Sequence, residues 1–474
     1  MVGLVASGGV KAVMTENMGS RRGFISRFRR AKLSPSQVLV MGFAAVIIIG
    51  AILLSLPAAS TGGNSIRFID AIFTATSATC VTGLVVLDTA TSFSLFGQIV
   101  ILTLIQVGGL GFMALATMIA LFLGRKITLR GRILLQESLN QFSIAGLVRL
   151  TRYLLLTTVV VEGAGAIILS LRFSRIMSAS RAAYYGIFHS ISAFCNAGFD
   201  LFGSVTGPFS SLTYWEADPV VVFTIGSLII IGGLGFPVIV ELLGHRKRNR
   251  LSLHTKLVLE ATFWLLLAGI IATFGLEFTN PGTLGDLTPA GKVMGALFQG
   301  ITPRTAGFNT LDISKMRSAT LFIFIVLMFI GASPSSTGGG IKTTTMGVIT
   351  AALVSTIRGS SEVEIYDRRI DKDLVFRAVT IAALALTLVT VVTVALSVSE
   401  EASFIQVMFE TVSAFGTVGL TTGITTSLTD FGRVLIMITM FSGRLGPLTV
   451  MFALAQRQKP IANVILPEEK VLIG

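Results

Sequence analysis

FTATSATCVTGL, Phe73–Leu84, returns three more times along the chain. The later copies are FHSISAFCNAGF (Phe188–Phe199), FQGITPRTAGF (Phe298–Phe308) and FETVSAFGTVGL (Phe409–Leu420). Each sets a Ser or Thr four residues after its phenylalanine, at Ser77, Ser192, Thr302 and Ser413. Each then reaches a glycine, at Gly83, Gly198, Gly307 and Gly419. Successive glycines lie 115, 109 and 112 residues apart. A near-constant period marks internal repetition, and each copy is one supersecondary unit.

Every copy ends a short apolar stretch: 68–82, 183–197, 293–306 and 404–418. A helix needs about 20 apolar residues to cross the hydrocarbon of a bilayer, so stretches of this length dip in and return. Long apolar stretches flank them, at 36–56, 95–123, 151–171, 219–243, 256–278, 318–356, 374–398 and 431–455. The order long, short, long occurs four times. The expected fold is an all-α polytopic membrane protein: four pseudo-symmetric span–pore-loop–span repeats around one central pore, with eight transmembrane helices. The expected boundaries are a basic tail over 1–35, repeats over 36–124, 147–244, 255–357 and 373–457, and a tail over 458–474.

Composition agrees. Of 474 residues, 52% are hydrophobic and 13% charged, with mean hydropathy +0.82. Soluble domains carry about a quarter charged residues. A formal charge of +13 would suggest nucleic acid in a soluble protein. Here lysine and arginine gather at 21–32, 125–132, 245–256 and 358–377, and at Arg457 and Lys459. These segments precede the first span, separate the repeats or follow the last, so the positive-inside rule makes them cytoplasmic along with both termini. Arg172, Arg175, Arg181 and Arg317 fall outside that bias. No nucleic-acid partner is expected; membrane lipid is. Residues 1–20 lack the pattern of a cleavable signal, and RRGFISRFRRAK (21–32) reads either as a solvated tail or as an interfacial helix. Two cysteines, Cys80 and Cys195, and three scattered histidines exclude a disulfide framework or a Cys/His metal cluster. With no HExxH, no G-x-S-x-G and no paired intramembrane carboxylates, the chain does not read as an enzyme and needs no cofactor.

Non-helical backbone at membrane depth is tolerated where it lines a cavity or is buried in protein. Four glycine-bearing segments around one axis can offer a ring of carbonyl oxygens in place of a cation's hydration shell. The expected ion site is therefore the backbone of Thr82, Gly83, Ala197, Gly198, Ala306, Gly307, Val418 and Gly419, with a monovalent cation as the ion. The four segments share a single glycine each, which predicts a short filter. Asp88, Asp200 and Asp312 follow three of the glycines and could concentrate cations at an outer mouth, or could be ordinary loop residues.

The second long stretch of each unit also carries glycines: QVGGLGFM (106–113), IGGLGFPV (231–238), IGASPSSTGGGIKTTT (330–345) and FSGRLGPL (441–448). The third is not a phosphate loop, because Ile341 separates Gly340 from Lys342. Pro334 and Gly338–Gly340 break the helix there. The expected gate is Ser335, Ser336, Thr337, Gly338, Gly339, Gly340 and Lys342, joined by Arg444 from the fourth unit. A charge at mid-membrane costs about 2.5–3.5 kcal/mol on insertion scales and so faces a cavity. Lys342 reads equally as a pore residue or as one snorkelling to the cytoplasmic surface.

The four span–loop–span units, the TPRTAGFNTLD stretch (Thr302–Asp312) and the interrupted third inner helix resemble the Trk/Ktr/HKT superfamily of potassium transporters. Eight spans without an added N-terminal pair look most like its Ktr-type ion-translocating subunits, over about 36–456. The resemblance implies potassium uptake at a bacterial cell (inner) membrane, with or without dependence on Na⁺. It also implies an arginine at position 444 under the filter, a homodimer, and a cytoplasmic nucleotide-binding regulatory subunit of the KtrA/TrkA-like kind. The competing reading is a secondary transporter of a small solute, a class that favours inverted repeats over the parallel fourfold order seen here.

Overall fold

The computed structural model describes residues 34–111, 114, 129–138, 147–244, 250–360 and 362–454. The 21–32 segment, both expected tails beyond these bounds, residues 115–128 and 245–249, and Arg457 and Lys459 lie outside the described residues.

Among the described residues, four helices are long and apolar enough to cross a membrane alone: α1 (Pro35–Ser55), α4 (Leu147–Phe173), α8 (Leu253–Glu277) and α12 (Lys372–Ser399). Their starts are set by polar caps. Ser34 and Gln37 form a capping box ahead of α1, with Pro35 at the first helical position. Ser252 accepts the Thr255 N–H ahead of α8, and Asp371 accepts the Asp373 N–H ahead of α12.

Each long helix packs against the short helix that follows it: α2 (Phe68–Cys80), α5 (Ala179–Phe194), α9 (Pro289–Ile301) and α13 (Phe404–Gly416). These carry the recurring motif, and its phenylalanines, Phe73, Phe188, Phe298 and Phe409, are fully buried. They anchor the short helices in the core, since burying a side chain of that size stabilises by roughly 1.5–3 kcal/mol.

A third set follows: α3 (Leu95–Leu110), α6 (Pro219–Leu234), α10 (Ser318–Phe329) and α14 (Asp430–Leu445). Each touches the short helix of another unit. α3 packs on α5, α6 on α9, α10 on α13, and α14 returns to α2. Within the first, second and fourth units, the third helix also lies at backbone distance from the short helix of its own unit. A methyl group on Gly108, Gly232 or Gly443 would collide with the carbonyl oxygen of Thr79, Phe194 or Phe415, respectively. These glycines of the second-span motifs are therefore packing residues.

The breaks fall slightly later. α3, α6 and α14 end at Gly111 (φ +79°), Gly235 (φ +91°) and Gly446 (φ +86°). Beyond Gly235 the chain turns 98° into α7 (Phe236–Gly244), and beyond Gly446 it turns 99° into α15 (Pro447–Leu454). The apolar stretches 219–243 and 431–455 are thus bent at their glycines rather than straight. α10 stops at Phe329 and helix resumes only at α11 (Thr343–Ile357). A hairpin, β1 (Val363–Ile365) with β2 (Arg368–Ile370), joins α11 to α12.

Candidate functional site

The short helices all end alike. The residue two before each motif glycine adopts a left-handed conformation: Val81 (φ 58°), Asn196 (61°), Thr305 (62°) and Thr417 (50°). For β-branched Val and Thr this region is strained. Next, the N–H of Thr82, Ala197, Ala306 or Val418 donates back to the carbonyl of Ser77, Ser192, Thr302 or Ser413, at 2.7–3.0 Å. The side chains of those four residues then brace the glycine segment. Ser77 Oγ and Ser413 Oγ accept the N–H of Gly83 and Gly419, each at 3.1 Å. Ser192 Oγ donates to the Phe199 carbonyl at 2.7 Å, and Thr302 Oγ1 to that of Phe308. One recurring hydroxyl serves every segment.

The four glycines meet. Their φ values are +96°, +70°, +78° and +88°, in the range open to glycine at little cost. A Cβ on Gly83 would lie 2.6 Å from the Ala197 carbonyl oxygen, and one on Gly198 3.0 Å from that of Ala306. A Cβ on Gly307 would lie 2.8 Å from the Val418 oxygen, and one on Gly419 would strike the Thr82 oxygen. The contacts close a cycle in which the carbonyl before each glycine abuts a glycine of another unit. All eight residues are buried. The Thr82 hydroxyl, enclosed beside the cycle, has no hydrogen-bond partner among the described residues.

The loop between α10 and α11 lies among the other elements. It folds on itself through Gly331 N–H to Ile341 O (2.8 Å) and Ala332 N–H to Gly339 O (3.2 Å). It is pinned by Ser333 N–H to Gly233 O (3.1 Å), Thr337 N–H to Gly232 O (3.2 Å) and Gly340 N–H to Gly443 O (3.2 Å). Ser335 (φ 55°) offers its carbonyl to the Phe236 N–H at 3.0 Å, and Ser336 is half-buried. Gly338, Gly339 and Gly340 are buried, and a side chain on Gly338 would collide with Thr305. Lys342 is half-buried and donates to the Gly338 carbonyl at 2.7 Å, so its ammonium turns back to the loop. Arg444 donates to the carbonyls of Thr337, Gly108 and Gly109, tying the loop to α3 and α14.

Arg304, which its motif alone leaves without a role, belongs to this group. It is 6% exposed and donates to the carbonyls of Ile330 (3.1 Å) and Gly331 (2.9 Å). The signal was available, since a charge within an apolar unit is a functional candidate by default.

The aspartates are engaged locally. Asp88 accepts from Thr91 N–H and Oγ1 (both 2.8 Å) and from Phe209 N–H (2.9 Å). Asp200 accepts from Phe202 N–H at 2.9 Å. Asp312 accepts from Ser314 and pairs with Lys315 at 3.2 Å. Partial burial acts to raise the Asp312 pKa, but those bonds outweigh it and hold the carboxyl below its ordinary value. Asp200 and Asp312 brace their own loops, and Asp88 also ties its loop to that of Phe209. Cys80 and Cys195 are buried. Glu162 accepts from Gln106 Nε2 at 3.3 Å and lies 3.8 Å from the Cys195 sulfur.

The chain matches the TrkH family, described as cation transport proteins, over residues 26–461. It is 44% identical to the Ktr system potassium uptake protein B of Bacillus subtilis, covering 94% of this chain and 97% of that one. It is 39% identical to the potassium/sodium uptake protein NtpJ of Enterococcus hirae, over 94% of this chain and 98% of that one. The crystal structure of the potassium transporter TrkH from Vibrio parahaemolyticus has a similar fold. Its TM-score is 0.69 at 18% identity, covering 90% of this chain and 86% of that one.

Proposed function

The chain belongs to the TrkH family of cation transport proteins, and from that premise we propose that it carries potassium into the cell through one pore built from four span–loop–span units. It is a multi-pass membrane protein; in this reading eight spans leave both termini in the cytoplasm. The observation that carries the reading is the closed cycle of glycines and carbonyls. Backbone oxygens so gathered can replace the hydration shell of a monovalent cation. The ordered contacts α3–α5, α6–α9, α10–α13 and α14–α2 support four units set around one axis.

The filter in this proposal is Thr82–Gly83, Ala197–Gly198, Ala306–Gly307 and Val418–Gly419. The short helices direct their carbonyl ends toward it, and that partial negative charge favours a cation. The strained residues at 81, 305 and 417 support a functional origin for the conformation, because strain persists where the surroundings over-determine it. The gate is the loop Ser335–Gly340 with Lys342 and Arg444, and the Arg444 guanidinium opposes cation passage while the loop is in place.

The potassium in its relatives' names is the proposed ion, with Na⁺ dependence a property to be measured. Proposed partners are a second copy of the chain and a cytoplasmic nucleotide-binding subunit, docked through the basic inner loops near 245–256 and 358–372. The test is growth of a potassium-uptake-deficient bacterium on low K⁺, expressing this chain with and without such a subunit, in low and added Na⁺. Rescue is expected. Failure in every condition, with the protein demonstrably in the membrane, would overturn potassium uptake.

A further inference from the structure

Besides its ties to α6 and α14, the loop proposed above as the gate meets the filter segments at three points, each at a residue two or three positions ahead of a filter glycine. At its entry, Arg304, three before Gly307, holds the Ile330 and Gly331 carbonyls. These groups follow the end of α10, where a broken helix leaves carbonyls without helical partners. In its middle, Thr337 Oγ1 donates to the Phe194 carbonyl (3.1 Å) and to Asn196 Oδ1 (3.4 Å), and Asn196 is two before Gly198. At its exit, the Gly339 N–H donates to Thr417 Oγ1 at 2.9 Å, and Thr417 is two before Gly419. Asn196 Nδ2 also donates to Thr305 Oγ1 at 3.1 Å, linking the second segment to the third.

The left-handed residues thus divide by chemistry. Asn196, Thr305 and Thr417 carry polar side chains and contact the loop or one another. Val81 holds the same backbone conformation in the first segment and has no group able to make such a bond. A loop that swung away would strip hydrogen bonds from three filter segments and leave a buried guanidinium without its carbonyls, which is costly in a dry interior.

We propose that the loop and the second, third and fourth filter segments shift as one unit, with Asn196, Arg304 and Thr417 as positioning residues, so that displacing the loop lowers K⁺/Na⁺ discrimination as it raises flux. The proposal rests on the filter-and-gate reading and adds a coupling that the reading does not require.

The experiment compares initial K⁺ and Na⁺ fluxes in proteoliposomes of the full chain for wild type, Thr417→Val and Thr417→Ser. Valine already occupies the matching position at 81 with the same φ, so Thr417→Val removes one hydroxyl from a backbone that accepts the change. Thr417→Val should raise flux and lower the K⁺/Na⁺ ratio together, several-fold each, and Thr417→Ser should restore both. Arg304→Gln should move both in the same direction and further. Higher flux at an unchanged ratio would overturn the coupling, as would a lower ratio at unchanged flux, or no change in either. If Arg304→Gln does not assemble, the Thr417 pair decides. Wild-type liposomes that carry no K⁺ at all would instead overturn the uptake reading itself.

Discussion

At the residue scale, the site depends on which backbones can come close. Gly307 has φ +78°, and a Cβ there would lie 2.8 Å from both Gly198 Cα and the Val418 carbonyl oxygen. An alanine at 307 must therefore displace backbone, and it adds roughly 1–2 kcal/mol of left-handed strain. Gly307→Ala should depress K⁺ uptake and narrow the difference between K⁺ and Na⁺, read as Rb⁺ influx against competing Na⁺. Full uptake with normal discrimination would mean that the cycle of glycines is not the ion path. The four glycines were legible because their spacing repeats and no other residue fits. The left-handed positions before them were not. Valine and threonine carry no local preference for positive φ, and tertiary contacts impose it on Val81, Thr305 and Thr417. Arg304 stood out as a charge in an apolar unit, but its acceptors at 330 and 331 belong to another element and could not be read from its motif.

At the element scale, hydropathy located α1, α4, α8 and α12 closely, because one long apolar run is all such a helix needs. It could not give the direction of the chain past Gly235 or Gly446. An apolar stretch has the same mean hydropathy whether straight or turned through 98° or 99°. The interrupted element between α10 and α11 was legible through Pro334 and three glycines, yet its fastenings lie on α3, α6, α14 and the motif segments. Arg444 is the longest of them, reaching carbonyls at 108, 109 and 337. Arg444→Gln removes the charge and most of these donors, while glutamine's amide keeps one. We expect higher K⁺ flux in the absence of any regulatory subunit, measured in proteoliposomes of the purified chain. Flux equal to or below wild type, with the variant assembled normally, would remove Arg444 from the proposed gate.

At the scale of the whole molecule, the proposed ring of units, built from one chain, would have to be closed by residues far apart in sequence. The first and fourth units meet where α14 packs on α2 and where Gly419 abuts Thr82. The charged fastening is the pair Arg433–Asp70 at 2.5 Å, with side chains 12% and 11% exposed. A second pair, Arg67–Asp430 at 2.9 Å, is far more exposed and adds little. No local pattern marks Asp70 and Arg433 as partners, so this closure was the least legible part of the fold. Losing one member of a fully buried pair costs about 3–5 kcal/mol, because the other charge is left uncompensated. Asp70→Asn, at a site with some solvent access, should fall below that range yet still lower the unfolding temperature in detergent. The reversed pair Asp70→Arg with Arg433→Asp should recover much of the loss, while Arg67→Ala should change little. Equal effects of Asp70→Asn and Arg67→Ala would mean that packing of α14 on α2 closes the ring without help from the buried pair. The apolar contacts of Ile436 and Met440, both fully buried on α14, would then carry the closure.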